Sequence, residues 1–363
     1  MLLLGDVCIE ERDKFFFDNN LRKIFKSNKS FCNLEGPINV NKKYHTRNNK
    51  MHNSSKIIDV FKNINMKGVT LCNNHIFDWG DKAVLKTIEY LEENGVNTFG
   101  YKYRSSSKLN PLKIIDNEIS YSFYSFGWPV ISCRRPSFFS PGINPLDNEN
   151  INFYIREILP GIPKKAVKVV FMHWCYEMDP YIQPLHRDFS KKLIDCGVDF
   201  VIGSHSHVIG PIEKYNKGYI IHSLGNFLFS SNKFCNGKLS YPSNSNYQIM
   251  VEINSSSKIK VHTILTKKNK LKILRSENIN AFISSFPEEI SSFSSKKYYE
   301  WYKNWSKKNS KFLPIFSSNN NFLNNVFSQF LILRMLLIKI LILLGLKNPG
   351  KRRKIKNKII DFD

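Results

Sequence analysis

Short apolar runs alternate with polar segments of helical spacing through most of the chain. Leu2–Leu4 reads as a buried strand stopped by Gly5, with Asp6 at its carboxyl end. Phe17, Leu21, Ile24 and Phe25 then recur at helical spacing. The run Ser30-Phe31-Cys32-Asn33-Leu34-Glu35 ends at Gly36-Pro37, strong turn punctuation that leaves Asn33 and Glu35 near the end of an extended stretch. A second helical stretch around Ile57 to Ile64 leads into the strand Gly68–Cys72, which releases Asn73-Asn74-His75 with Asp78 close behind. Asp78-Trp79-Gly80-Asp81 resembles a helix start; Val84, Leu85, Ile88 and Leu91 supply one face, and Gly95 the stop.

The same rhythm continues further on. Ile119–Phe126 predicts a strand, and Pro129–Asn150, rich in Pro, Ser, Gly and Asn, predicts a long surface loop in which Arg134 and Arg135 are solvated or meet an anion. Val167–Met172 is a buried strand that delivers His173, with Glu177 and Asp179 behind it. A helix from about Leu185 through Phe189 and Leu193 ends at Gly197. The next strand, Val198–Ile202, runs into Gly203-Ser204-His205-Ser206-His207. Ile220 and Ile221 lead to Ser223-Leu224-Gly225-Asn226-Phe227, and Tyr247–Ile273 alternates like two antiparallel strands about Asn254–Ser257. Strand, polar loop and helix in repetition predict an α/β domain.

The strand ends carry the chemistry. In extended chain, side chains two apart leave on the same side, so His205 and His207 are expected to aim at one region. Asp6, Glu35, Asn74 with His75, and His173 stand at the ends of other strands. In α/β sheets such ends share one edge, where ligand sites form. A mixed set of carboxylate, amide and imidazole suits one or two divalent ions of the Mn, Fe or Zn type and is too rich in imidazole for magnesium alone.

Composition alters this picture in two ways. Of 363 residues, 42% are hydrophobic, enough for a full core, yet the formal net charge is +24. Half of that excess lies in Lys296–Asp363, where fifteen Lys or Arg face Glu300, Asp361 and Asp363. Over the body of the chain such a balance reads either as a compositional bias toward Lys or as an anionic substrate, polymer or membrane surface as partner, with nucleic acid the weakest of these. Seven cysteines without a Cys-x-x-Cys pair argue against a zinc ribbon and a disulfide framework, and fit a reducing compartment. Met1-Leu2-Leu3-Leu4 is too short for an export signal, so a cytoplasmic location is expected.

The ordered set Gly5-Asp6-Val7, Asn33-Leu34-Glu35-Gly36-Pro37, Asn73-Asn74-His75, His173-Trp174, Gly203–Val208 and Ser223–Phe227 resembles the CapA family of capsule and poly-γ-glutamate synthesis proteins (the PGA_cap domain), part of the calcineurin-like metallophosphatase superfamily. The resemblance implies a four-layer α/β/β/α metallophosphatase-like sandwich over residues 1–275. It also implies that Asp6 and His207 hold one ion, that Asn74, His173 and His205 hold the other, and that Glu35 bridges them. His75, oriented by Asp78, would contact the phosphate and protonate the leaving oxygen. Asn33, Asn73, Glu177, Ser223 and Asn226 match family motifs and would support or line the site. Where the superfamily has Asp-x-His, this chain has Cys8, which puts the ion served by His207 in question; Cys8 is read as a small packed hydrophobe. His45, His52, His186, His222 and His262 are read as ordinary histidines.

Beyond the resemblance lie a helical extension over 276–326 and an apolar segment with a basic tail over 327–363. Lys296–Trp305 interleaves lysines with aromatics, predicting an amphipathic helix against the domain or a membrane interface. Phe330–Leu346 is apolar except for Arg334 and Lys339, and Lys347–Lys358 is strongly basic, so the tail is expected to attach shallowly to the inner face of the membrane or to dock on a partner. Two function classes follow. One is a metal-dependent hydrolase of phosphoesterase type, acting on an anionic substrate linked to a capsule or poly-γ-glutamate polymer. The other is a non-catalytic assembly or export factor for such a polymer.

Overall fold

Alternation along the strands divides the core in two, as expected for sheets buried on both faces. Leu3, Phe31, Phe123, Phe171, Ile202 and Ile249 pack into one apolar layer, while Leu2, Cys32, Val69, Val170 and Val201 pack into another. The first layer lies between two sheets, with Phe31 of one stacked on Phe123 of the other at 4.0 Å. The second faces the helices. A computed structural model describes residues 1–39, 50–230, 241–254, 258–286, 290–309, 313–318 and 321–346.

Among the described residues, nine strands form one sheet and six the other. In the first, Leu2–Cys8 runs parallel to Ser30–Leu34 and to Asn226–Phe229, and Met66–Thr70 continues the parallel side. Tyr247–Ile253, Ile259–Lys267 and Lys270–Asn278 extend the opposite side as an antiparallel meander. In the second, Ile119–Gly127, Val167–His173, Phe200–Ser204 and Gly218–Ile221 are parallel. Helices α1 (Asn19–Ser27), α2 (Ile57–Asn63) and α3 (Asp81–Glu93) bury Phe25, Phe61, Val84 and Leu91 in the outer layer of the core. Helices α4 (Asn148–Phe153) and α5 (Pro184–Asp195) bury Ile151, Leu185, Phe189 and Leu193 there as well. The expected α/β/β/α sandwich is the observed fold.

Three expectations need correction. The first strand does not stop at Gly5 but runs on to Cys8. Gly5 serves close approach instead: a Cβ there would stand 1.9 Å from the Gly225 carbonyl oxygen. Pro129–Asn150 is no plain surface loop, because Val130, Ile131, Ile143 and Leu146 are buried and α4 begins at Asn148. Arg134 pairs with Asp81 and lies over the Phe77 ring, and Arg135 pairs with Asp147. The Tyr247–Ile273 region yields three strands rather than two, since Lys268 and Asn269, both at positive φ, make a second reversal.

Helix α6 (Ile279–Ser284) is followed by α7 (Ser295–Lys308), which packs against the domain through Tyr298 and Tyr302, as one of the two expected placements had it. Helix α8 (Asn321–Leu343) rests on the domain through Phe327 and Leu331 and exposes Phe330, Leu333, Leu336, Leu337 and Ile340. The six described cysteines are free thiols, five of them buried. His45 lies outside the described residues, as does the basic tail beyond residue 346.

Candidate metal centre

Strand register assembles the site. Asp6 pairs with Asn33 on one side and Asn226 on the other. In the second sheet, His173 ends its strand beside Gly127 and Ser204. The two carboxyl-end edges meet, and two groups of donor atoms result: Glu35, His173 and His205, and Asp6, Glu35 and His207, each with its ligand atoms within 4.8 Å of one another. Glu35 belongs to both. All five side chains are buried.

Asn74 joins the first group, with its Oδ1 2.9 Å from Nε2 of His173. The other ring nitrogen of His173 faces the Ser204 hydroxyl at 2.9 Å. His207 presents Nδ1 to Oδ1 of Asn226 at 2.8 Å, which turns Nε2 toward Glu35, 3.9 Å away. Such outer contacts fix the ring and tautomer of a metal-binding histidine. His205 and His207 both hold positive φ, 88° and 60°. For non-glycine residues this costs about 1–3 kcal/mol each and persists only where the surroundings over-determine it. The backbone N–H of His205 donates to Asp6 Oδ2 at 3.1 Å, tying this loop to the first sheet. Gly203 is required before it, since a Cβ there would meet the His222 carbonyl oxygen at 1.9 Å.

Electrostatics agree with a cation. Burial raises the Asp6 carboxyl to about 6, despite hydrogen bonds from Asn33 and the His205 backbone that pull it down. Burial, with the charges of His207 and His75, holds His173 well below its ordinary value, so its imidazole is neutral and able to ligate. Carboxylates, an amide oxygen and imidazoles form a donor set that fits one or two divalent ions of the Mn, Fe or Zn type. Cys8 is not part of it. Its Sγ faces the His52 carbonyl at 3.7 Å, and burial, aided by the nearby Glu35 charge, pushes the thiol well above its usual range. Cys8 belongs to neither donor group, and Asp6, Glu35 and His207 still converge.

His75 and Asp78, 16% and 19% exposed, stand at the mouth of the site, where the buried donor groups give way to partly exposed side chains. Nδ1 of His75 lies 2.8 Å from Asp78 Oδ2, and Nε2 lies 3.9 Å from Glu35. The Met51 backbone N–H donates to the same Asp78 oxygen at 2.8 Å. Among the supporting residues, Asn33 donates to Asp6 at 2.8 Å, and Asn73 donates to Asn33 and to the Leu34 carbonyl while accepting from the His75 N–H. Asn226 orients His207, as described. The Ser223 hydroxyl accepts from Gly225 N–H and shapes the turn before Asn226. Glu177 belongs to neither donor group.

Sequence reasoning missed Asn53, which donates to the Glu35 and Gly36 carbonyls and accepts from Ile9, locking the bridging segment. No motif marks it. Tyr241 was missed as well, its ring 4.8 Å from that of His207. Ser204 sits beside the His-x-His pair, and only strand pairing showed its partner.

Comparison with known proteins places the chain. The family model described as "Bacterial capsule synthesis protein PGA_cap" matches residues 10–231. The chain is 28% identical over 203 residues to the "PGA biosynthesis protein CapA" of Bacillus subtilis (strain 168), covering 54% of this chain and 52% of the relative. It is 26% identical over 205 residues to the "Capsule biosynthesis protein CapA" of Bacillus anthracis, covering 54% and 49%. It thus spans about half the length of these relatives. Among solved structures, a hypothetical protein from Thermus thermophilus aligns over 76% of this chain and 98% of its own, with TM-score 0.39 and 13% identity. A putative 5'-nucleotidase from Staphylococcus aureus aligns over 69% and 44%, with TM-score 0.36 and 12% identity. The family match covers more than half of the chain, and the chain belongs to the bacterial capsule synthesis PGA_cap family.

Proposed function

We propose that this protein is a metal-dependent hydrolase of phosphoesterase type acting on an anionic substrate in the synthesis of a capsule or poly-γ-glutamate-type polymer. The observation that carries the reading is the pair of buried donor groups sharing Glu35, with the partly exposed His75–Asp78 couple beside them. Asp6 and His207 with Glu35 would hold one ion, and Asn74, His173 and His205 with Glu35 the other. Bound divalent ions would supply a nucleophilic water at neutral pH and neutralise charge on a phosphoryl oxygen.

The chain's own groups do the rest. Asp78, fixed by the Met51 N–H, orients His75 through Nδ1 and leaves Nε2 directed to the mouth side of Glu35. With Nδ1–H held by Asp78, the imidazolium form of His75 carries a second proton on Nε2, which would go to the leaving oxygen, the task of a general acid. Asn33 and the His205 N–H keep both Asp6 oxygens in place.

The decisive experiment measures bound metal and phosphoester turnover for the wild type and for Asn74→Ala, His75→Ala and His205→Ala. Turnover is expected to fall in all three, and metal content in the Asn74 and His205 variants only. A metal-free wild type, or turnover indifferent to these changes, favours the alternative of a non-catalytic assembly or export factor.

Helix α8 supports attachment to an anionic membrane surface. Its window Asn321–Ile338 is long and apolar enough to cross a membrane and is only 6% buried, and seven Lys or Arg follow between Lys347 and Lys358. Vesicles of phosphatidylcholine and phosphatidylglycerol should sediment the full chain in a salt-sensitive way, and deletion of 327–363 should abolish this; equal behaviour of both chains overturns the attachment.

A further inference from the structure

Helix α7 lies outside residues 10–231, the span of the family match, yet its side chains reach a loop that leaves the metal centre. The turn after His173 carries two non-glycine residues at positive φ, Cys175 at 71° and Met178 at 58°. Met178 N–H donates to the Ser206 carbonyl at 2.9 Å, the carbonyl between the two left-handed histidines. One unfavourable backbone segment thus holds another.

What holds the turn in place is the extension. Tyr302 donates its hydroxyl to Asp179 Oδ2 at 2.9 Å and accepts from the Gln183 amide at 2.9 Å. Trp305 Nε1 donates to the other Asp179 oxygen at 3.3 Å, and Tyr298 donates to the Ile182 carbonyl at 2.8 Å. Tyr176, at the near end of the turn, donates to the Pro314 carbonyl at 2.9 Å. Asp179, Gln183, Tyr298 and Tyr302 are all buried, and burial keeps both phenols protonated as donors. Buried, fully partnered polar groups of this kind specify one arrangement, because no solvent replaces a lost contact.

We propose that α7 is a positioning element of the metal centre: Tyr302, through Asp179, holds the 174–179 turn against the Ser206 carbonyl and thereby keeps His205 and His207 aimed at their donor groups. The proposal rests on reading those groups as a metal centre. Tyr302 is a positioning residue, because it touches neither the donor atoms nor the mouth. Helix α7 thus acts from outside the span that the family model matches.

The test uses the full chain with Mn2+ alone as the probe. Binding is followed by titration calorimetry and by the Mn2+ paramagnetic resonance spectrum, and thermal melting of the metal-free protein is recorded in parallel. Tyr302→Phe removes one hydroxyl and keeps the ring; Trp305→Phe, a second route to the same carboxylate, serves if the first fails to fold. Each is expected to weaken Mn2+ binding by about tenfold, the lower end of what loss of a direct partner of a metal ligand costs, with an altered spectrum. Tyr215→Phe, which loses only an exposed contact to Asp195, should match the wild type. Wild-type affinity and spectrum in both variants, with only the metal-free melting temperature lowered, overturns the proposal. A wild type that takes up no Mn2+ overturns the metal-centre reading and this inference with it.

Discussion

His75 and Asp78 form a couple at the mouth of the site, 2.8 Å apart, that leaves the far nitrogen of the imidazole 3.9 Å from Glu35. A carboxylate behind an imidazole accepts from its Nδ1–H and so fixes ring and tautomer; the far nitrogen, Nε2, faces the substrate and carries a transferable proton in the imidazolium form. The couple is built within one turn of chain, whereas Glu35 arrives from a different strand end.

Replacing Asp78 by Asn therefore leaves metal content unchanged and lowers kcat. The loss is a share of the ~10²–10⁴-fold that general acid catalysis contributes. His75→Ala forfeits the whole of it. Steady-state kinetics with an aryl phosphoester, alongside elemental analysis, checks both.

The donor groups predict an asymmetric metal count. His205→Ala removes one ion, His207→Ala removes the other, and Glu35→Ala weakens both because its carboxylate belongs to each group. Elemental analysis after extensive dialysis reads the stoichiometry directly. Retention of both ions by the Glu35 variant contradicts the bridge.

Cys8→Ala should leave metal stoichiometry as it is. The thiol faces a carbonyl and stays protonated, so the expected cost is packing alone, about 1 kcal/mol for one lost heavy atom in a close-packed core. Urea denaturation with and without metal separates the two effects.

His186 predicts a pH dependence of stability. It is stacked on Trp174 at 5.4 Å and crosses Trp128 at 4.6 Å, and burial lowers its pKa to about 3. The unfolded chain takes up a proton near the ordinary histidine value while the folded chain does not. Stability from this group is therefore complete above about pH 6.5 and falls as pH drops toward 3. Between pH 7 and 5 the expected loss is about 2 kcal/mol. His186→Phe should flatten that part of the profile measured by urea unfolding.

Arg187, Glu213 and His222 form a buried polar cluster behind the His-x-His loop. Arg187 grips Glu213 through Nε and Nη2 and also donates to the Ile290 and Phe293 carbonyls, while His222 Nε2 meets Glu213 at 2.7 Å. Burial alone pushes Glu213 up, but His222 and Arg187 overcome it and leave the carboxyl below its usual range. Glu213→Ala strands a buried guanidinium and should cost about 3–5 kcal/mol in urea unfolding. Arg187→Met with Glu213→Leu should cost less than either single change, because no charge is left unpaired.

The sequence by itself determined the α/β rhythm, the ligand-bearing strand ends and the family, because each is local: an apolar run, a turn signal, a polar residue just after it. It also exposed Asp6, Glu35, Asn74, His173, His205 and His207 as one set, since motifs in fixed order need no knowledge of contacts. Tertiary structure decided what depends on residues far apart in the chain. Gly5 looked like a strand stop, yet it continues the strand because the Gly225 carbonyl leaves no room for a side chain. Cys8 was settled by its partner, a carbonyl from residue 52, and His222, read as ordinary, stands in an ion cluster closed by Arg187 and Glu213. Asp179 gained its meaning only from Tyr302 and Trp305, more than a hundred positions away. Composition marked α7 as aromatic and basic; packing alone showed that its aromatic face closes on the loop leaving His173.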